Sequence, residues 1–161
     1  MTDISVYKLH ENDVDLIIPN LWLGNKQAAL DEDFIKNNNI KHVVNVTDGI
    51  HCPFSFVTYL HIPIKDKKMC DIQSKDAMIQ YIDVAMKFIL RALQNNEGVL
   101  VHCRKGHHRS ANIVVIFLMK YLKFGYIPSI IYINNIRPYA LRRKTCINKW
   151  LLNYYQNEII S

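Results

Sequence analysis

Apolar positions along the chain recur at two spacings, one that suits strands and one that suits helices. Leu16-Ile17-Ile18 and Leu21-Trp22-Leu23-Gly24 flank Pro19-Asn20, which predicts two short strands around a turn. His42-Val43-Val44-Asn45-Val46 and the stretch from Val57 to Ile62 are rich in β-branched residues and bounded by turn residues, the pattern of buried strands in a central sheet. Val99-Leu100-Val101 predicts a further buried strand. Between these blocks the spacing lengthens. From Ser74, placed to cap a helix, to Gln94, the apolar residues Met78, Ile79, Ile82, Ala85, Met86, Ile89 and Leu93 fall three or four apart and predict a long amphipathic helix. Asp31 is placed to cap a short helix that the Asn37-Asn38-Asn39 run stops. Ile113 to Leu122 predicts a buried helix, Ser129 to Asn135 a shorter one, and Arg143 to Ile159 a final amphipathic one. Strands alternating with helices predict an α/β fold, a central, mainly parallel sheet flanked by helices.

Length and charge narrow this picture only a little. A chain of 161 residues, half of them hydrophobic, suits one core, so residues 1–161 are expected to form a single domain. The longest apolar stretches are far shorter than the roughly 20 residues that cross a bilayer. Met1-Thr2-Asp3-Ile4 lacks the basic-then-apolar order of a secretory signal, and Cys52, Cys70, Cys103 and Cys146 are scattered without a C-x-x-C pair. An intracellular, cytoplasmic protein with reduced thiols is expected. The net charge of +6 favours an anionic partner without specifying nucleic acid. Asn and Ile are abundant and Gly is scarce, as in the AT-rich coding sequences of some large viruses and protists.

The chemistry is concentrated between the strand Val99-Val101 and the helix after it. His102-Cys103-Arg104-Lys105-Gly106-His107-His108-Arg109-Ser110 reads H-C-x5-R-S with a central glycine. Five residues between Cys103 and Arg109 suffice for a loop whose amides point inward while the next helix aims its positive end at the same spot, a cradle for a phosphate dianion. Gly106 supplies a position where φ can be positive, and the planar guanidinium of Arg109 can hold two phosphate oxygens. The same donors favour a thiolate at Cys103, which would attack phosphorus in line and form a phosphocysteine intermediate. Ser110 can donate to Cys103 as it leaves, and His102 can orient the loop from behind. The alternative, a buried structural thiol beside a surface arginine, does not explain the joint spacing of Cys, Gly, Arg and Ser.

With this motif the sequence resembles the dual-specificity branch of the protein tyrosine phosphatase superfamily. Ile18-Pro19-Asn20-Leu21-Trp22-Leu23-Gly24-Asn25 looks like that family's opening segment, His42-Val43-Val44-Asn45-Val46-Thr47 like its next strand, and Ile136-Arg137-Pro138 like a later segment. The resemblance implies a phosphatase-like fold, Cys103 as nucleophile, Arg109 as phosphate ligand, and an upstream aspartate as the acid that protonates the leaving oxygen. Tyr59 to Asp66 looks like the strand that runs into the acid loop and points to Asp66. Counting back from Cys103 instead favours Asp71. The strand end decides for Asp66, because a longer helix can absorb extra residues and geometry outranks spacing.

Arg104, Lys105, His107 and His108 make the loop basic, and their side chains are expected to fan out around the pocket mouth. The leading function is hydrolysis of phosphotyrosine and phosphoserine or phosphothreonine in proteins, since a short chain lacks room for loops that deepen the pocket. Basic loops in related enzymes serve phosphoinositides, inositol phosphates or RNA 5′ ends, which is the alternative substrate class. A phosphoprotein-binding pseudophosphatase is a second alternative, disfavoured because binding alone needs no Cys103. Neither a cofactor nor a metal is called for, since adjacent residues of a tight loop cannot all converge on one ion. Cys70 or Cys52 can form a reversible disulfide with a thiolate at Cys103, though structural filler is the simpler role. Arg142-Arg143-Lys144 reads as the solvated start of a helix or as a docking patch. The oligomeric state is not readable from the sequence.

Overall fold

The structure is a computed structural model that describes residues 11–63, 75–142 and 153–158. Strands β1 (Val14–Ile18) and β2 (Leu21–Gly24) form the expected hairpin, with Asn20 at the turn in the left-handed region (φ 68°), which asparagine tolerates. Helices α1 (Lys26–Leu30) and α2 (Glu32–Asn37) follow. Asp31 caps α2 by accepting from Phe34 N (3.1 Å), and the Asn run ends it, with Asn39 again left-handed. Then come β3 (Ile40–Asn45), β4 (Thr58–His61), α3 (Lys75–Gln94), β5 (Gly98–His102), α4 (Arg109–Leu122) and α5 (Tyr126–Ile136). Residues 153–158 are also helical.

The sheet runs β1-β2-β5-β3-β4, parallel throughout except for the antiparallel β1 edge. This is the α/β architecture expected from the alternation of strands and helices. Successive residues of β5 show why it lies at the centre. Val99 and Val101 face a core shared with Ile82, Met86 and Ile89 of α3 and Val114 and Phe117 of α4, while Leu100 faces the opposite cluster of Ala28, Ala29 and Ile35. Each fully buried Val, Leu, Ile, Met or Phe among them contributes about 1.5–3 kcal/mol. Helix α4 is buried from Arg109 to Met119 and, within that span, apolar all round from Ile113 onward, so it lies inside the molecule rather than across its face.

The structure adds one element to the sequence reading and corrects two. Helix α1 was not anticipated, because five residues give too short a window for periodicity. Helix α4 starts at Arg109, four residues before the apolar run that predicted it. Strand β4 is an edge strand rather than a buried one: Thr58 and His61 are exposed, and only the flanking Val57 and Ile62 are buried. Ser74, Asp66, Asp71, Cys70 and Cys146, and most of the helix expected over 143–159, lie outside the described residues.

Residues 153–158 are tied to α3 by Tyr155, 1% exposed, whose hydroxyl donates to Asp83 Oδ1 (3.0 Å). Burial, and then this acceptor, push the phenol pKa upward and keep it protonated. Tyr155→Ala is expected to lower unfolding free energy by about 3–5 kcal/mol. Tyr155→Phe, which loses only the hydrogen bond, should cost about 1 kcal/mol in the same denaturant titration.

Candidate active site

Parallel pairing places Gly24, Asn45 and His102 side by side at the carboxyl ends of β2, β3 and β5, the end of a parallel sheet where ligands bind. From there the chain turns through residues 103–108 into α4. Gly106 has φ +72°, and a Cβ on it would collide with the Gly24 carbonyl and lie 2.8 Å from Arg137 Nη2. Only glycine fits both the conformation and the space.

The outer side of this turn is held by a row of donors. Arg104 O accepts from Lys26 N (3.2 Å), Lys105 O from Arg137 Nη2 (3.0 Å), Gly106 O from Arg137 Nε (2.9 Å) and His107 O from Leu141 N (2.8 Å). In a trans peptide the N–H points opposite to the C=O, so four outward carbonyls turn the amides of residues 105–108 inward. One of these is visible directly: Gly106 N donates to Cys103 Sγ (3.3 Å). Arg137 is 1% exposed, and its Nη1 also donates to Asn12 O (2.7 Å) and Asp15 Oδ2 (2.9 Å), with Glu11 Oε1 3.8 Å from Nη2. Asp15 balances a charge that would be costly if buried alone.

Cys103 is 3% exposed, with Ser110 Oγ 3.1 Å from its sulfur. Ser110 is fully buried in the first turn of α4, so its hydroxyl has a fixed place beside the thiol. His102 is buried behind the loop. Burial, opposed by its hydrogen bond to Cys103 O and reinforced by electrostatic interaction with His61 and Arg109, lowers its pKa to about 4. The ring is therefore neutral, and Nδ1, 3.3 Å from Cys103 O, acts as donor in the matching tautomer. Arg109, also buried, opens α4 with Nη1 4.0 Å from Asp48 Oδ1.

The basic residues of the loop divide into two groups. Arg104 and Lys105 are exposed, as a fan around the mouth requires. His107 departs from that expectation: it is partly buried, contacts Glu11 Oε1 through Nε2, and stacks on Tyr139 with centroids 6.0 Å apart. His108, partly buried, precedes α4 as its cap residue without a side-chain capping bond. Cys52 lies partly buried in the loop after β3, its sulfur 3.3 Å from Asn45 Nδ2. Among the described residues no three His, Cys, Asp or Glu side chains gather as a metal site would require, and no helix is long and apolar enough to cross a membrane. Arg137 was not read as a site residue from the sequence. Its signals were an arginine directly after the apolar Ile133 and Ile136 and before a proline, and the resemblance of Ile136-Arg137-Pro138 to a family segment, neither of which marks it as buried beside the loop.

Losing the outer donors should turn the amides away. Arg137→Lys cannot bridge two adjacent carbonyls and is expected to weaken orthovanadate binding at least about tenfold. Gly106→Ala should do so more severely, as measured by calorimetry on protein whose folding is checked by circular dichroism. Neutral His102 also predicts a pH effect. Between about pH 6.5 and pH 4 the unfolded chain binds a proton that the folded chain does not, so stability falls as pH drops through that window, by up to about 3 kcal/mol. Urea titrations across the window should show this slope, and His102→Asn should flatten it.

Comparison with known proteins agrees with this geometry. Residues 21–157 match the family profile described as "Dual specificity phosphatase, catalytic domain". The chain is 37% identical over 123 residues to dual specificity protein phosphatase 1B of Arabidopsis thaliana, covering 74% of this chain and 70% of that protein. It is 31% identical over 115 residues to dual specificity protein phosphatase 22 of Xenopus tropicalis, covering 71% of this chain but only 52% of that protein, about half its length. The crystal structure of human DUSP28 has the same fold, with a TM-score of 0.82 at 19% identity over 93% of this chain and 97% of that one. By its sequence and its fold, this chain belongs to the dual specificity phosphatase family.

Proposed function

We propose that residues 1–161 form a single catalytic domain that hydrolyses phosphotyrosine and phosphoserine or phosphothreonine in proteins through a phosphocysteine intermediate. The observation that carries this reading is the convergence on Cys103 Sγ of the Gly106 amide at 3.3 Å and the Ser110 hydroxyl at 3.1 Å, inside a loop whose carbonyls face outward. The Cys103 thiolate attacks phosphorus, the P–O bond to the leaving group breaks, and the leaving oxygen takes a proton from Asp66. Inward amides and the Arg109 guanidinium hold the three equatorial oxygens as charge develops on them. Water then attacks the phosphocysteine, giving its proton to the Asp66 carboxylate. The sulfur leaves as a thiolate that Ser110 Oγ–H stabilises, and inorganic phosphate is released.

The protein substrate is supported by the relatives, which are named as dual specificity protein phosphatases. The exposed Arg104 and Lys105 favour the second reading, a more highly charged ester such as an inositol phosphate or an RNA 5′ end. A phosphoprotein-binding role without turnover is the remaining alternative.

Turnover of a small aryl phosphate separates these functions. The wild type is expected to hydrolyse it and Cys103→Ser to reduce the rate to background; phosphopeptide binding without turnover by the wild type would instead support the pseudophosphatase. Asp66→Asn should slow turnover by about 10²–10⁴-fold, the usual worth of a general acid, and far more than Asp71→Asn. The reverse order would move the acid to Asp71. Equal or better kcat/KM for inositol phosphate or RNA 5′-triphosphate than for phosphopeptides would favour the second reading.

A further inference from the structure

The loop that leaves β3 is fixed beside the phosphate cradle by its own side chains. Val46 N donates to His102 O (2.8 Å), which starts the loop one residue away from Cys103. Asn45, fully buried, accepts from Thr47 Oγ1 (2.6 Å) and donates to Ile50 O (2.8 Å), while Thr47 Oγ1 accepts from Ile50 N (3.2 Å). His61 Nε2, 2.6 Å from Thr47 O, holds the same peptide from β4. Such local side-chain bonds to the backbone define a tight turn. Asp48 lies between the two residues held this way. Its carboxylate is 38% exposed and 4.0 Å from Nη1 of the largely buried Arg109.

A carboxylate in this place has two effects of the same sign on anion binding. It attracts the guanidinium that a phosphoryl group must engage, and it repels an arriving dianion. Both are amplified where the effective dielectric constant lies well below that of water. We propose that Asp48 is a positioning residue that engages the Arg109 guanidinium before a phosphoryl group arrives and then yields it, thereby setting the anion affinity of the cleft. This rests on the reading of Arg109 as the phosphate ligand. It also bears on substrate class, because a fixed negative charge at this edge penalises esters that carry further phosphates on the same side.

Asp48→Asn keeps the shape and removes the charge. At about 20 mM NaCl the variant is expected to bind inorganic phosphate about three- to tenfold more tightly than wild type by calorimetry. KM for an aryl phosphate should fall by a similar factor, so that kcat/KM rises, which loosening of the loop alone would not produce. The difference in phosphate affinity should shrink at about 0.5 M NaCl, where exposed charges are screened. Asp48→Glu, which keeps the charge, should remain nearer to wild type than Asp48→Asn, and Asp48→Ser carries the same prediction if the asparagine variant does not fold. Unchanged or weaker phosphate binding by a folded, charge-free variant at low salt would overturn the proposal. Because binding is read without turnover, a wild type that binds phosphate but hydrolyses nothing would contradict the phosphatase reading and leave this comparison decisive. No phosphate binding by either protein would overturn both.

Discussion

A trans peptide cannot turn its N–H toward an anion without turning its C=O away from it, so a loop that gathers amides must find donors for its carbonyls on the outside. In this protein those donors come from two separate parts of the chain. Lys26 N follows β2, Arg137 ends α5, and Leu141 N follows shortly after. Arg137 supplies two of the four bonds and is itself held by Asn12 O, just before β1, and by Asp15 within it. The cradle therefore depends on residues more than a hundred positions apart in sequence, and its amides are oriented before any ligand binds. That is the condition under which electrostatic stabilisation costs no reorganisation when charge develops.

The sheet provides the frame on which this can happen. Register places Gly24 and Asn45 on either side of His102, so the loop after β5 leaves between two neighbouring strand ends. The close approach of Gly106 to the Gly24 carbonyl requires both the left-handed backbone and the missing side chain, and Gly24 has backbone and side chains packed around it in turn. Beneath, His102 stays neutral because it is buried, so it can donate to Cys103 O without placing a second cation under the thiol. Arg109 and the first turn of α4 then close the ring, their position set by a helix buried over most of its length.

Much of this was legible from local pattern, and what was not has a common cause. The strands, the hairpin with its Asn20 turn and the Asp31 cap follow from residues within a few positions of one another. The H-C-x5-R-S spacing is equally local, which is why Cys103, Gly106, Arg109 and Ser110 could be brought together on paper. Arg137 could not, since its partners Gly106 and Asp15 lie 31 and 122 residues away and nothing in Ile136-Arg137-Pro138 announces a buried guanidinium. The same holds for Asp48, which meets Arg109 only because β3 and β5 are neighbours. His107 was assigned to the pocket mouth from its place in a basic run, but an aromatic ring can stack, and Tyr139 lies beside it. The stretch from Val57 to Ile62 has the β-branched and aromatic composition of a buried strand, yet β4 within it lies at the sheet edge, because composition reports a preference for pleated, partly buried surfaces and not the order of strands.

On this account the outward carbonyls create an inward ring of donors for a tetrahedral oxyanion. A crystal structure with orthovanadate bound tests it most directly. The vanadium should lie in line with Cys103 Sγ, with amides of residues 105–108 about 2.7–3.2 Å from its equatorial oxygens and the Arg109 guanidinium on two of them. The carbonyls of Lys105 and Gly106 should remain on Arg137. An oxyanion bound elsewhere, or one of these peptides flipped so that its carbonyl faces the ion, would contradict it.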